Sequence, residues 1–93
     1  MNSRTEITTP DAARIAKRLV NHWKHKFEIE EQAAAFIIVM PDARVTLAPG
    51  NEQLAVQIES QRSTDEHQRL EQVVIDHLNR MAQQEFQVAW SAY

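Results

Sequence analysis

The chain has 93 residues, no cysteine and a formal net charge of −3. The lack of cysteine excludes disulfides, thiolate metal sites and a cysteine nucleophile, while a hydrophobic content of 43% predicts one globular domain over residues 1–93. Residues 1–27 contain six basic and two acidic side chains, and residues 28–93 contain four basic and eleven acidic ones. The pI of about 5.7 therefore argues against a nucleic-acid binder, although the first helix is basic.

A short strand and an amphipathic helix are the first elements that the sequence predicts. Residues 4–8 alternate in polarity and contain β-branched side chains, which favours a strand. Thr9, Pro10 and Asp11 then suit a helix start, with Thr9 as the N-cap and Pro10 in the first turn. The apolar residues that recur at helical spacing afterwards are Ala12, Ile15, Ala16, Leu19, Trp23 and, at the boundary, Phe27.

The middle of the chain predicts a run of strands. These strands span residues 27–31, 34–40, 44–48 and 53–60. The second of them is continuously apolar, so we expect a central strand that is buried on both faces. Short connections that contain proline, glycine and asparagine favour antiparallel neighbours in a meander.

A second helix and a last strand complete the predicted order β-α-β-β-β(-β)-α-β. Ser63 and Glu66 have the spacing of a capping box, which predicts a helix start. The apolar stripe of this helix is Leu70, Val73, Val74, Leu78 and Met81. Residues 85–93 alternate as in a strand. Since each helix has one apolar stripe, both should cover the same face of one antiparallel sheet in a two-layer α+β fold.

The stretch NHWKHKF at residues 21–27 concentrates histidines near the end of the first helix. Helical phase directs Trp23 towards the core and His25 towards solvent, and it leaves His22 and Lys26 at the border. In the second helix, His77 falls inside the apolar stripe. Two interpretations of His77 remain open: a core or half-buried histidine with hydrogen-bonded ring nitrogens, or a side chain that contacts a ligand.

Two motifs together resemble those of a small bacterial domain family of unknown function. The first is His-Trp-x-His-Lys-Phe at residues 22–27. The second consists of His77, Leu78, Arg80, Ala82, Glu85 and Trp90. Met81 and Gln84 depart from the family pattern, which has an aromatic residue and an arginine there. The resemblance covers essentially the whole chain and implies membership of a family of hypothetical proteins, with no activity to carry over.

Two candidate sites follow from these residues. A ligand-binding site near the ends of the two helices would use His22, Trp23, Lys26, His77 and Arg80, and its basic groups suit a small anionic ligand. A divalent-metal site would use His22, His25, His77 and a carboxylate such as Glu85 or Asp76. The sequence alone does not establish that either set converges.

Enzyme and membrane signatures are missing. There is no nucleophile elbow, phosphate-binding loop, HExxH or EF-hand pattern, and the only glycine is Gly50. The longest apolar run, residues 33–40, is far shorter than the roughly 20 residues that span a bilayer, and no signal peptide is visible. We therefore expect a cytoplasmic, non-catalytic binding or accessory domain. The alternatives are a metal-dependent or histidine-based enzyme and a structural protein with a protein partner or a second copy of itself.

Overall fold

In the computed structural model, which describes residues 1–93, two helices lie against one face of a six-stranded antiparallel sheet. The helices are α1 (Ala12–Trp23) and α2 (Thr64–Ala82). The strands are β1 (Asn2–Thr8), β2 (Glu28–Gln32), β3 (Ala35–Met40), β4 (Ala43–Pro49), β5 (Gln53–Ser60) and β6 (Ser91–Ala92). This architecture confirms the predicted α+β fold and its element order.

The sheet has the order β2-β3-β4-β5-β1-β6, so the N-terminal strand extends a four-stranded meander. The register aligns Ile38 with Val45 and Val45 with Ile58, and paired residues point to the same face of a sheet. These three side chains are fully buried, whereas the alternate residue Arg44 is exposed on the open face. The alternation of polarity in β4 and β5 therefore determines which face the helices cover.

The two helices run in opposite directions across this face. The Arg18 guanidinium of α1 donates a hydrogen bond of 3.0 Å to the Met81 carbonyl in the last turn of α2. Further along α1, the ring of Trp23 lies 4.9 Å from that of His77, one turn earlier in α2. The C-terminal end of α1 therefore lies beside the middle turns of α2, and not beside its end as the sequence predicted.

Helix α1 is shorter at both ends than predicted. The Thr9 hydroxyl accepts a hydrogen bond of 3.1 Å from the Asp11 N–H, as a cap would, but Thr9 lies two residues too early to be the N-cap. Its own N–H donates to the Glu52 carbonyl at 3.0 Å. Asp11 takes the cap position without a side-chain hydrogen bond, and the helix begins at Ala12. At the other end, the Phe27 N–H donates to the Trp23 carbonyl at 2.8 Å in a turn that leads into β2.

Helix α2 begins as predicted but presents a different buried face. The Ser63 hydroxyl accepts a hydrogen bond of 3.3 Å from the Glu66 N–H, which confirms the N-cap. Val73, predicted in the apolar stripe, is 43% exposed. Ile75 and His67 are buried in its place, so α2 buries a face that is rotated away from Val73.

Strand β3 is buried partly on its open face as well. Ile37 points away from the helices and is nevertheless buried, whereas its neighbour Val39 is half-buried. The ion pair between Arg44 and Glu30 at 2.8 Å crosses β3 on this face, since Glu30 is aligned with Ile37 and Arg44 with Val39. The expected burial on both faces is therefore correct for the centre of the strand.

The C-terminal segment contains less strand than predicted. Only Ser91–Ala92 pairs, with β1, and residues 85–90 are irregular. Their alternating burial persists, since Phe86, Val88 and Trp90 pack against the core. Hydrogen bonds to side chains hold this segment where strand pairing is absent. The Phe86 N–H donates to Asn79 Oδ1, and the Thr5 hydroxyl donates to the Ala89 carbonyl, each at 3.0 Å. Neither helix has the length and apolar character needed to cross a membrane.

Candidate functional site

A pocket of about 230 Å³ lies where the C-terminal end of α1 meets the first half and middle of α2. Its lining residues are Trp23, Lys26, Phe27, Met40, Arg62, Arg69, Leu70, Val73 and His77. The turn after Trp23 supplies Lys26 and Phe27, and the end of β3 supplies Met40. A larger depression of about 450 Å³ near the β3–β4 turn contains both Asp42 and Glu59, so it lacks the single sign of charge that distinguishes the smaller pocket.

The walls of the pocket are aromatic and aliphatic. Trp23 is 5% exposed and meets Phe27 edge to face, with ring centres 5.8 Å apart and an interplanar angle of 89°. On the α2 side, Leu70 is buried and Val73 is exposed, so apolar surface continues from the pocket floor to its rim. The exposed side chain of Val73 borders this concave site.

The charged residues of the pocket are all basic. Lys26, Arg62 and Arg69 line it together with His77, and no aspartate or glutamate does. Arg62 is committed to Asp42, since its Nε donates at 3.0 Å to the Asp42 carboxylate. Lys26 and Arg69 form no ion pair, and the Lys26 ammonium lies 5.5 Å from the centre of the Phe27 ring. Two cations without an ion-pair partner, Lys26 and Arg69, therefore line a pocket with apolar walls.

His77 is half-buried at the α1–α2 contact and keeps one ring nitrogen free. Its Nδ1 lies 2.8 Å from the Val73 carbonyl. A carbonyl can only accept, so Nδ1 carries the proton and donates, and Nε2 of the neutral ring is an acceptor without a hydrogen-bond partner in the protein. The ring centre of His22 lies 5.6 Å away on the other helix.

A second histidine of α2, His67, lies outside the pocket and is 1% exposed. Its Nε2 and Nδ1 are hydrogen-bonded to the Ser3 and Ser60 hydroxyls at 2.7 and 2.6 Å. Burial lowers the pKa of the His67 imidazole, and the Glu71 carboxylate, 3.6 Å from Nε2, partly offsets this effect. With both nitrogens satisfied and no access to solvent, His67 connects α2 to β1 and β5 and is a structural residue.

Comparison with known proteins places the chain in a family. Residues 4–91 match the model of a family described as uncharacterised proteins conserved in bacteria (DUF2218). The chain belongs to this family. The NMR structure of PA4090 from Pseudomonas aeruginosa is similar to it at 33% identity and a TM-score of 0.81, over 97% of this chain and 94% of that one. No curated protein matches. The family membership and the α+β fold inferred from the sequence are thus confirmed.

In this family member, the structure brings together four of the five residues predicted to bind a ligand. Trp23, Lys26 and His77 line the pocket, and His22 lies next to His77 at its edge. Arg80 is exposed and does not line the pocket, because the last turn of α2 lies beside Arg18 in the middle of α1, away from the C-terminal end of α1 that forms the pocket.

The predicted metal ligands do not form a complete site. No group of three or more histidine, cysteine, aspartate or glutamate side chains could hold a metal ion. Of the predicted residues, only His22 and His77 are neighbours, while His25 and Glu85 are exposed. The turn after Trp23 places His25 outside the helix, which removes the helical spacing on which its pairing with His22 depended.

The sequence did not predict that Arg62, Arg69 and Met40 line the pocket. Arg69 had a signal, since Arg69, Val73 and His77 recur every four residues and therefore share one face of α2. Arg62 and Met40 come from a loop and from the end of a strand, where no local spacing relates them to the helices.

Proposed function

We propose that this chain is a small binding or accessory domain whose pocket takes a small anionic ligand with an apolar body. The observation that supports this proposal is the pair of uncommitted cations, Lys26 and Arg69, over a pocket walled by Trp23, Phe27 and Val73. An anion would gain charge-assisted hydrogen bonds there, and its apolar part would cover exposed valine.

The size of the pocket limits the ligand. Its volume of about 230 Å³ is below the range of about 300–1,000 Å³ typical of drug-sized ligands. A single aromatic ring or a short branched chain that carries one carboxylate or phosphate matches both this volume and a lining of apolar and basic residues. A large polyanion does not match the apolar floor.

Calorimetric titration with benzoate and with phenyl phosphate tests this proposal. We expect saturable binding of at least one probe, weakened about tenfold in Lys26→Gln and in Arg69→Gln, because a hydrogen bond to a charged group contributes about 1.5–3 kcal/mol. Lys24→Gln is the matched control, since Lys24 is exposed on the same turn but does not line the pocket. Absence of saturable binding, or an equal loss in Lys24→Gln, would contradict the proposal.

The alternative functions have less support. A metal-dependent enzyme needs a fuller ligand set than the structure offers. Self-assembly through the sheet edge is opposed by β2, where Glu28, Glu30 and Glu31 place like charges along the outermost strand. We include a cytoplasmic location in the proposal, and cell fractionation tests it.

A further inference from the structure

We propose that His22 and His77 form a two-histidine site for a late first-row divalent ion such as Cu²⁺, Ni²⁺ or Zn²⁺ at the edge of the pocket. This inference goes beyond the anion site, since it needs neither Lys26 nor Arg69. The two imidazoles come from different helices and are the only pair of histidine rings in contact. Imidazole nitrogen is a preferred ligand of these ions.

The separation of the rings suits one shared ion. An imidazole bound to zinc through a nitrogen has its ring centre about 3.2 Å from the ion. Two such rings on one ion therefore have centres about 5.2 Å apart at a tetrahedral angle and about 6.4 Å apart when they lie opposite each other. The centres of His22 and His77 are 5.6 Å apart, which lies inside this interval.

His77 has the orientation that metal-binding histidines usually have. Its Nδ1–H donates to the Val73 carbonyl at 2.8 Å, which fixes the tautomer with the lone pair on Nε2. A hydrogen bond from the distal ring nitrogen to a backbone carbonyl is a common outer-shell contact of histidine ligands. The buried ring of Trp23, 4.9 Å from His77, supports the imidazole from the α1 side.

Both ligands stand on helices that are anchored in the core. His22 directly precedes the buried Trp23 in the last turn of α1, and His77 directly precedes the fully buried Leu78 in α2. The negative end of the α1 dipole favours a cation near His22, while the nearby Lys26 ammonium opposes it. With two protein ligands, the ion keeps positions open to water or to an exogenous carboxylate.

Metal titration of untagged protein tests this site with Zn²⁺ by calorimetry and with Cu²⁺ by NMR line broadening. We expect one bound Zn²⁺ per chain, with affinity reduced at least about tenfold in His22→Gln and in His77→Gln, because loss of a ligand costs no less than loss of an outer-shell partner. His22→Gln changes an exposed side chain, so it reports on the site without a folding defect. Cu²⁺ should broaden the indole N–H signal of Trp23 and leave that of Trp90 unchanged.

His25→Gln is the matched control. It removes an exposed imidazole three residues from His22 and should leave Zn²⁺ affinity unchanged. An equal loss in His25→Gln, or unchanged affinity in His77→Gln, would overturn the proposal in favour of adventitious binding within the α1 turn. Lys26→Gln should not weaken Zn²⁺ binding, so failure of the anion site and failure of the metal site give different results.

Discussion

Two histidines ten residues apart on α2 have opposite environments. His67 is buried, and both of its ring nitrogens are hydrogen-bonded to serine hydroxyls. His77 is half-buried, and only Nδ1 has a partner, the Val73 carbonyl. The first therefore resembles a structural polar contact in a core, and the second resembles a side chain that is held in place for contact with something outside the protein.

The difference shows what distinguishes a candidate functional histidine from a structural one. Burial excludes water from His67, so its hydrogen bonds must be complete within the protein. At His77 the neighbouring groups are aromatic and basic, and one nitrogen stays accessible at the edge of a pocket. Whether both ring nitrogens are hydrogen-bonded within the protein therefore distinguishes the two histidines more clearly than their distance from an apolar stripe does.

Replacement of each histidine by alanine should give the largest difference between the two residues, measured as the loss in the free energy of unfolding. His67→Ala leaves the Ser3 and Ser60 hydroxyls without their partner and opens a cavity, and we expect a loss of about 3 kcal/mol in the free energy of unfolding. His77→Ala should cost about 1 kcal/mol or less, because the site can fill with water. Urea unfolding monitored by circular dichroism measures both. Equal losses would contradict the assignment of His67 as the structural histidine.

His67 should make the stability of the protein depend on pH. Because burial lowers the pKa of His67 in the folded protein, the unfolded chain binds more protons between that pKa and about 6.5, the ordinary value. Stability therefore rises with pH in this window. The contribution of His67 is complete above about pH 6.5 and is lost as the pH falls towards the folded pKa.

Unfolding free energies measured from pH 5 to pH 7.5 test this dependence. The Met1 ammonium and Arg62 also lower the pKa of His67, whereas Glu71 raises it, so Glu71 is kept in all variants. We expect a smaller slope in His67→Gln than in the wild-type protein. The other histidines are common to the compared proteins. A wild-type slope retained in His67→Gln would assign the effect to another group.

The two histidines also show which features of the fold can be predicted from the sequence alone. Element order and the Ser63 cap followed from local rules, because alternation, helical spacing and capping depend on neighbours in the chain. The structural role of His67 did not, because it depends on hydroxyls from β1 and β5 that reach α2 only in the fold.

The candidate site was predictable in part for the same reason. Helical phase predicted the buried side chain of Trp23, since its position follows from local spacing in α1, whereas Lys26 lies in the turn after the helix, where that spacing no longer applies. The direction in which the helices cross excluded Arg80 from the pocket and brought in Arg62, and nothing in the local pattern specifies that direction.

Arg80 should give the smallest effect. It is exposed in the last turn of α2 and does not line the pocket. Arg80→Gln should lower the free energy of unfolding by about 0.3–1 kcal/mol through the helix dipole and leave probe binding unchanged. Calorimetric titration of Arg80→Gln and of Arg69→Gln with benzoate compares the two variants. Equal weakening in the two variants would extend the site along α2 beyond His77.

An NMR titration with benzoate tests most directly the proposal that the pocket beside Trp23 binds an anion with an apolar body. The two tryptophans give separate indole N–H signals, and Trp23 lines the pocket whereas Trp90 does not. We predict that the Trp23 signal shifts with saturation, that the Trp90 signal does not move, and that the Trp23 shift is lost in the double variant Lys26→Gln, Arg69→Gln. A shift of the Trp90 signal alone, or no saturable shift of the Trp23 signal, would contradict binding in this pocket.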